Sequence, residues 1–208
     1  MKILSLILDR FVLRVSKGNV FSYSGCKIKQ SKVRIKGVGN TVSLGKNVRM
    51  RNCEINVNGR NNKLYIGNNC DLVNTKILID NVGGAINIGD NTTISGAMIA
   101  SFEPYEINIG DDCMISYDVE IRNTDSHKII SRKTGERINP GKPIHIGDHV
   151  WIGARSVILK GSSIQHDSIV GTNSIITGFV PEYVIVAGQP AKVIKGDISW
   201  NRESVIPE

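Results

Sequence analysis

The chain has 208 residues, 22% of them charged and 5% aromatic, which fits one domain with a sizeable core and argues against a multidomain protein. Its formal charge of +7 is unevenly placed: residues 1–63 hold 14 Lys or Arg against Asp9 and Glu54 alone, and the remainder holds 12 basic and 17 acidic groups. A basic first third points to a polyanionic or membrane-surface partner and says little about fold.

The opening MKILSLILDRFVLRVSK is interrupted by Asp9, Arg10 and Arg14, so it is not a membrane span, and its apolar run is short for a signal peptide. With Ile3, Leu4, Ile7, Leu8, Phe11 and Val15 on one face, it is expected to be an amphipathic helix. Packing on a domain end or a sister subunit is the plainer role for it, and interfacial membrane anchoring the alternative. Residues 1–39 therefore read as this helix and a basic lead-in. Cys26, Cys53, Cys70 and Cys113 form no CxxC pair, which leaves no zinc site and no disulfide framework and makes a reducing compartment the expectation.

A hexad surfaces as LGKNV at Leu44, IGNNC at Ile66, IGDNT at Ile88 and IGDDC at Ile109. It becomes regular from Ile146, where Ile152, Ile158, Ile164, Val170 and Ile176 follow every six residues. Four residues after each stands Val150, Ser156, Ser162, Ser168, Ser174 or Val180. Internal repetition outranks local propensity. A six-residue unit suits one short flat strand plus a corner, so three units would make a triangular coil and stacked coils a solenoid over residues 40–181. The aliphatic column fills the prism and the small column, including Cys70 and Cys113, packs beneath the corners.

Between Ile121 and Ile144 the hexads stop for RNTDSHKIISRKTGERINPGKP, an excursion over residues 122–143 too long for a corner. It carries Asp125, His127 and Glu136 among Arg122, Lys128, Arg132, Lys133, Arg137 and Lys142. Of the four histidines, His145 should point outward from a strand, His149 and His166 should sit at corners, and only His127 lies in the excursion. Imidazole accepts a proton near neutral pH, which makes His127 the candidate general base of the excursion. Asp125, Glu136 or a backbone carbonyl could hold its second nitrogen. Trp151, between Val150 and the inward Ile152, should face outward, where a subunit contact is the plainer cover for it. No GxxxxGK[ST] or strand-linked GxGxxG is present, so phosphate-loop and Rossmann nucleotide sites are excluded.

The run HIGDHVWIGARSVILKGSSIQHDSIVGTNSIITGFVPEYVIVAGQPAKVIK, with its VWIG, VP corner and AGxPAKVI exit, resembles the hexapeptide-repeat acyltransferases. EIRNTDSHKII, GERIN and GDHVWIG look most like the bacterial capsule and polysialic acid O-acetyltransferases among them. The resemblance spans roughly residues 40–200. It implies an all-β fold: a left-handed parallel β-helix with an inserted catalytic loop, short terminal helices, and an exit segment and tail over residues 182–208. It implies transfer of an acetyl group from acetyl-CoA to a hydroxyl of an acidic surface polysaccharide or its sugar precursor. His127 would be the base, and Trp151 would stand beside it and the acetyl group. Ser116, Ala154, Thr172 and Thr177 would line the pantetheine path, with Lys192 and Lys195 at the phosphates. Gly178 replaces a lysine that relatives often carry. Arg122, Lys128, Arg132 and Arg137 are the expected contacts to an anionic acceptor. A homotrimer with sites between subunits, no metal, and a cytoplasmic place, peripheral to the inner membrane in one version, complete the expectation. An N-acetyltransferase acting on an amino sugar and a non-catalytic β-helix binding or scaffold protein are the rival functions. Nucleic acid is the weakest partner, because no recognition motif accompanies the charge.

Overall fold

The computed structural model describes residues 10–203 and 205. Their strands form three sheets of eight, eight and nine strands, in which, up to the last two strands of the chain, neighbours in a sheet are three apart in chain order. The chain therefore winds as a triangular prism, one sheet per wall. Val12–Val15, Val20–Ser24 and Lys27–Lys29 open the first, second and third walls. Pairing is parallel throughout except at the end of the third wall, where Ala191–Gly196 folds back on Val184–Gly188.

Coil length shortens where the sequence repeat becomes regular. After the excursion, Val157 lies beside Ile175, His145 beside Ser163 and Trp151 beside Ile169, so a coil is 18 residues, three hexads. Before it, Ile55 lies between Val33 and Ile77, a coil of 22 residues rather than the expected 18. The first wall buries Val33 and Ile35, the second Val42 and Leu44, and the third Met50 alone. Each of the first two walls has thus gained one inward and one outward residue. Because side chains alternate with period two, a pair is the smallest insertion that keeps the aliphatics inside.

The solenoid also begins earlier than residue 40. Leu13 and Val15 stack in register on Val33 and Ile35, so the segment from Val12 is the first coil and not a helix. Residues 1–9, with Ile3, Leu4, Ile7 and Leu8 of the expected helix, lie outside the described residues. Phe11 and Val15 satisfy helical and strand spacing alike, and the next coil supplies the backbone partners that decide for strand. The expected C-terminal helix is likewise absent among the described residues, since 184–196 is a β-hairpin followed by an extended tail. No helix among the described residues is long and apolar enough to cross a membrane.

The aliphatic column at 146, 152, 158, 164, 170 and 176 is buried, as is the small column. Ser156 Oγ donates to Gly171 O at 3.0 Å and Ser162 Oγ to Ile176 O at 3.0 Å, so each buried hydroxyl is satisfied by the coil stacked on it. Cys70 and Cys113 are packed thiols, pushed up to about 11 and about 12 by burial. Corners use left-handed backbone, and Gly59 shows why (φ +107°): a Cβ there would run into the carbonyl of Asn81 on the next coil.

Candidate active site

The excursion leaves the first wall after Arg122 and rejoins the second at Ile144, so it stands on the first–second corner. Its two limbs form a short hairpin: Ile130 bridges Arg137, and Ile138 N–H donates to Ile129 O at 2.9 Å. Buried Asn139 ties the hairpin to the segment carrying His127. Its Nδ2 donates to His127 O and to Asp125 Oδ2, both at 2.8 Å, while its Oδ1 accepts Ile129 N–H at 2.7 Å. Lys160, one coil on, donates from Nζ to Asp125 Oδ2 at 2.5 Å and to Asn139 O at 3.2 Å. Hydrogen bonds from Lys160 and Asn139 hold the Asp125 carboxyl below its usual range.

A second anchor lies at the base of the loop. Glu103 takes a two-pronged contact from Arg137, at 2.6 and 3.0 Å, with Thr124 Oγ1 at 2.8 Å and Gly141 N–H at 3.1 Å completing its oxygens. The Arg137 hydrogen bonds lower its pKa to about 2. Asn139 and Glu103 together fix the backbone on both sides of His127. The His127 side chain is exposed, and neither ring nitrogen makes a hydrogen bond among the described residues.

Of the carboxylates considered for orienting that ring, Asp125 is occupied by Lys160 and Asn139, and Glu136 is exposed at the hairpin tip. Of the expected acceptor contacts, Arg137 is spent on Glu103 and Arg122 on Glu120, which leaves Lys128 and Arg132 as exposed cations of the loop. The other histidines lie as their repeat positions require. His145 is exposed on the second wall. His149 and His166 sit at the second–third corner, where Asp167 accepts both Nδ1 atoms at 2.7 and 2.8 Å. Burial raises the Asp167 pKa, but the contacts from His166 and His149 outweigh it and the net direction is down.

Trp151 faces outward on the third wall, 37% exposed. It is partly covered by Trp200, whose ring centroid lies 6.1 Å away and which stacks on His149 at 4.1 Å. Trp200 Nε1 donates to His149 O at 2.8 Å, and Arg202 beyond it binds Asp112 Oδ1 at 2.8 Å and Thr93 Oγ1 at 2.9 Å. The tail thus folds back across earlier coils. Ser116, Ala154 and Thr172 stand on successive coils of the third–first corner, and the N–H groups of Ala154 and Thr172 donate to nothing among the described residues. Thr177 and Gly178 instead follow Ile175–Ile176 on the first wall, one coil beyond Lys160. A Cβ at Gly178 would meet open space. Lys192 and Lys195 are exposed on the hairpin that ends the third wall.

The third wall faces away from the first–second corner, so one prism holds His127 on one side and Trp151 with the third–first corner on another. A single chain does not bring the expected site together. Sequence reasoning missed Glu103, Asn139, Lys160 and Trp200. Glu103 alone left a trace, at the FEPY break in the repeat.

The coil stack and the looped corner define a hexapeptide-repeat transferase, and the chain belongs to that family. The model for the bacterial transferase hexapeptide (six repeats) matches residues 143–178. The chain is similar to a polysialic acid O-acetyltransferase of Neisseria meningitidis, 38% identical over 113 residues that make up 54% of this chain and 53% of that protein. It thus spans about half the length of that curated relative. Among solved structures, the polySia-specific acetyltransferase NeuO superposes with a TM-score of 0.89 at 34% identity, covering 94% of this chain and 91% of that one. The polysialic acid O-acetyltransferase OatWY gives 0.82 at 31% identity, covering 93% and 89%. The prism is accordingly the left-handed parallel β-helix of this family.

Proposed function

We propose that the protein is an O-acetyltransferase that moves an acetyl group from acetyl-CoA to a hydroxyl of an acidic polysaccharide. The observation that carries this is His127: an exposed imidazole, with neither nitrogen hydrogen-bonded among the described residues, on a backbone pinned from two sides at the point where the repeat breaks. Superposition over nearly the whole chain on two polysialic acid O-acetyltransferases supports the substrate class.

His127 removes the hydroxyl proton as the sugar oxygen attacks the thioester carbonyl carbon. The tetrahedral oxyanion collapses, the C–S bond breaks, and the imidazolium returns its proton to the departing thiolate. No protein nucleophile takes part: Cys53, Cys70 and Cys113 are buried with their thiols pushed up, and no cysteine lies in the excursion. The free N–H groups of Ala154 and Thr172 suit the amides of pantetheine, and Lys192 and Lys195 its phosphates. Since His127 and Trp151 lie on different sides of one prism, a neighbouring copy must supply the other half. A ring of three prisms does this with one repeated heterologous contact.

The test is thiol release from acetyl-CoA while acidic and neutral bacterial glycans are added in turn. Release stimulated by acidic glycans, with acetyl ester on the product, is expected. Stimulation by amino sugars alone, with amide product, would replace this reading by N-acetylation.

A further inference from the structure

The hydrophobic core of the prism opens at its N-terminal end. Leu13 and Val15 stack on fully buried Val33 and Ile35 and so point inward, yet they are 41% and 39% exposed, because no coil among the described residues lies beneath them. Phe21 on the second wall and Ile28 on the third are the matching inward residues. Each stacks on a buried neighbour, Val42 or Met50, and is itself only half-buried. Exposed Tyr23, whose ring lies 5.3 Å from that of Phe21, widens the same apolar mouth. A contiguous patch of this kind marks a surface that something covers.

The rim of the mouth is cationic. Residues 10–53, which form the first two coils, hold 11 Lys or Arg and no Asp or Glu. Arg34 and Arg49 reach Glu54 and Asp71 of the third coil at 2.9 and 2.8 Å. Arg14 on the first wall, Lys17 at the first–second corner and Lys27 on the third wall are exposed and make no ion pair among the described residues. Two cavities open beside the rim. One of about 420 Å³ is lined by Arg10, Arg14, Lys32 and Arg34, and one of about 330 Å³ by Lys27, Lys29, Arg49 and Arg51 with Asp71.

We infer that this end of the prism docks on an anionic lipid bilayer, with the apolar mouth in the interfacial layer and the surrounding cations at lipid phosphates. A bilayer surface offers an apolar layer and, just above it, a plane of negative charge. The end presents its groups in the same order: the mouth is at its tip, and the cations stand around it on that coil and the next. A soluble polyanion would meet the charge and leave the mouth in water, so the charge and the exposed core together favour the bilayer. The excursion leaves the first wall five coil spacings higher, roughly 24 Å from the docked end at about 4.8 Å per coil. A prism standing on the membrane therefore holds His127 clear of the headgroups. Docking takes no part in the chemistry proposed above.

The test is flotation of the full-length protein with vesicles of phosphatidylcholine alone or with about one third phosphatidylglycerol. The anionic vesicles are expected to bind at least tenfold more tightly, and high salt to weaken them. Reversing two rim charges, Arg14→Glu with Lys27→Glu, should cut binding to anionic vesicles at least tenfold while the thermal midpoint stays put. Tyr23→Ser keeps every charge and should cut binding a few-fold at low and high salt alike. Vesicle binding indifferent to lipid charge, or to the double reversal, would overturn the docking face. Binding unmoved by Tyr23→Ser would overturn the part given to the apolar mouth. A protein that ignores vesicles and instead binds soluble sialic acid polymer or duplex DNA through Arg14 and Lys27 would overturn the inference and make this end a polyanion site.

Discussion

Replacing Glu103 by Gln keeps the shape of the anchor under the excursion and removes its charge. A carboxyl held at about 2 in the fold, against 4.5 unperturbed, corresponds to about 3 kcal/mol of stabilisation at neutral pH, and partial exposure brings the expected loss to about 2 kcal/mol. Because the folded pKa lies below the unfolded one, this contribution is complete above about pH 5. It is lost as pH falls towards 2, with roughly 1 kcal/mol gone by pH 4. The lost contact belongs to the loop, so local opening should report it. Lys128, Arg132 and Lys133 are trypsin sites within the excursion. A 2 kcal/mol drop in opening free energy raises cleavage there about 30-fold when opening and closing are fast. Cleavage rates of wild type and Glu103→Gln should therefore differ by about that factor at pH 7.5. Urea midpoints should differ at pH 7, draw closer at pH 3 and converge only towards pH 2. With His127 loosened, kcat should drop about tenfold while KM for acetyl-CoA stays put. Unchanged cleavage of the loop, or a stability gap that does not narrow in acid, would refute the claim that the Glu103 charge holds the excursion.

Three further outcomes follow from the same geometry. If each site draws His127 from one chain and Trp151 from its neighbour, a co-refolded equal mixture of His127→Ala and Trp151→Ala should recover about a quarter of wild-type activity; no recovery would place both residues of a site in one chain. Trp200→Ala should red-shift the fluorescence of Trp151, the only other tryptophan, and lower stability by about 1 to 3 kcal/mol, since His149 loses its stacked ring; an unmoved emission maximum would argue against the tail as the cover of Trp151. Gly178→Lys fills open space and should lower KM for acetyl-CoA a few-fold, about 1 kcal/mol, without a stability cost; an unchanged KM would place the phosphates elsewhere.

The last third of the prism was legible because its constraint is local. Six residues complete a wall there, and the inward isoleucines and buried serines recur at a spacing that nothing else produces. The first half was harder to read. Its walls carry an extra in–out pair, so Leu44, Ile66, Ile88 and Ile109 mark whole coils, and between them the pattern is ordinary strand alternation. The opening segment misled for a related reason: in RFVLRV a helical stripe and a strand face share Phe11 and Val15, and only Val33 and Ile35, some twenty residues away, settle the choice. That His127 alone of the histidines stands in the break was legible from the repeat. Its supports were not, because Glu103, Asn139 and Lys160 come from three separate coils or limbs and meet only when the chain is wound. Arg137 shows the cost of reading charge without geometry, for a cation expected to meet the acceptor is held by Glu103.

The proposed chemistry has a single imidazole as the base, and its direct test is steady-state thiol release from acetyl-CoA with a sialic acid polymer, comparing wild type with His127→Ala. The rate is expected to fall by about 10² to 10⁴, equivalent to roughly 3 to 5.5 kcal/mol, while acetyl-CoA binding measured by calorimetry stays within twofold. A variant that releases thiol and esterifies the polymer at the wild-type rate would contradict it.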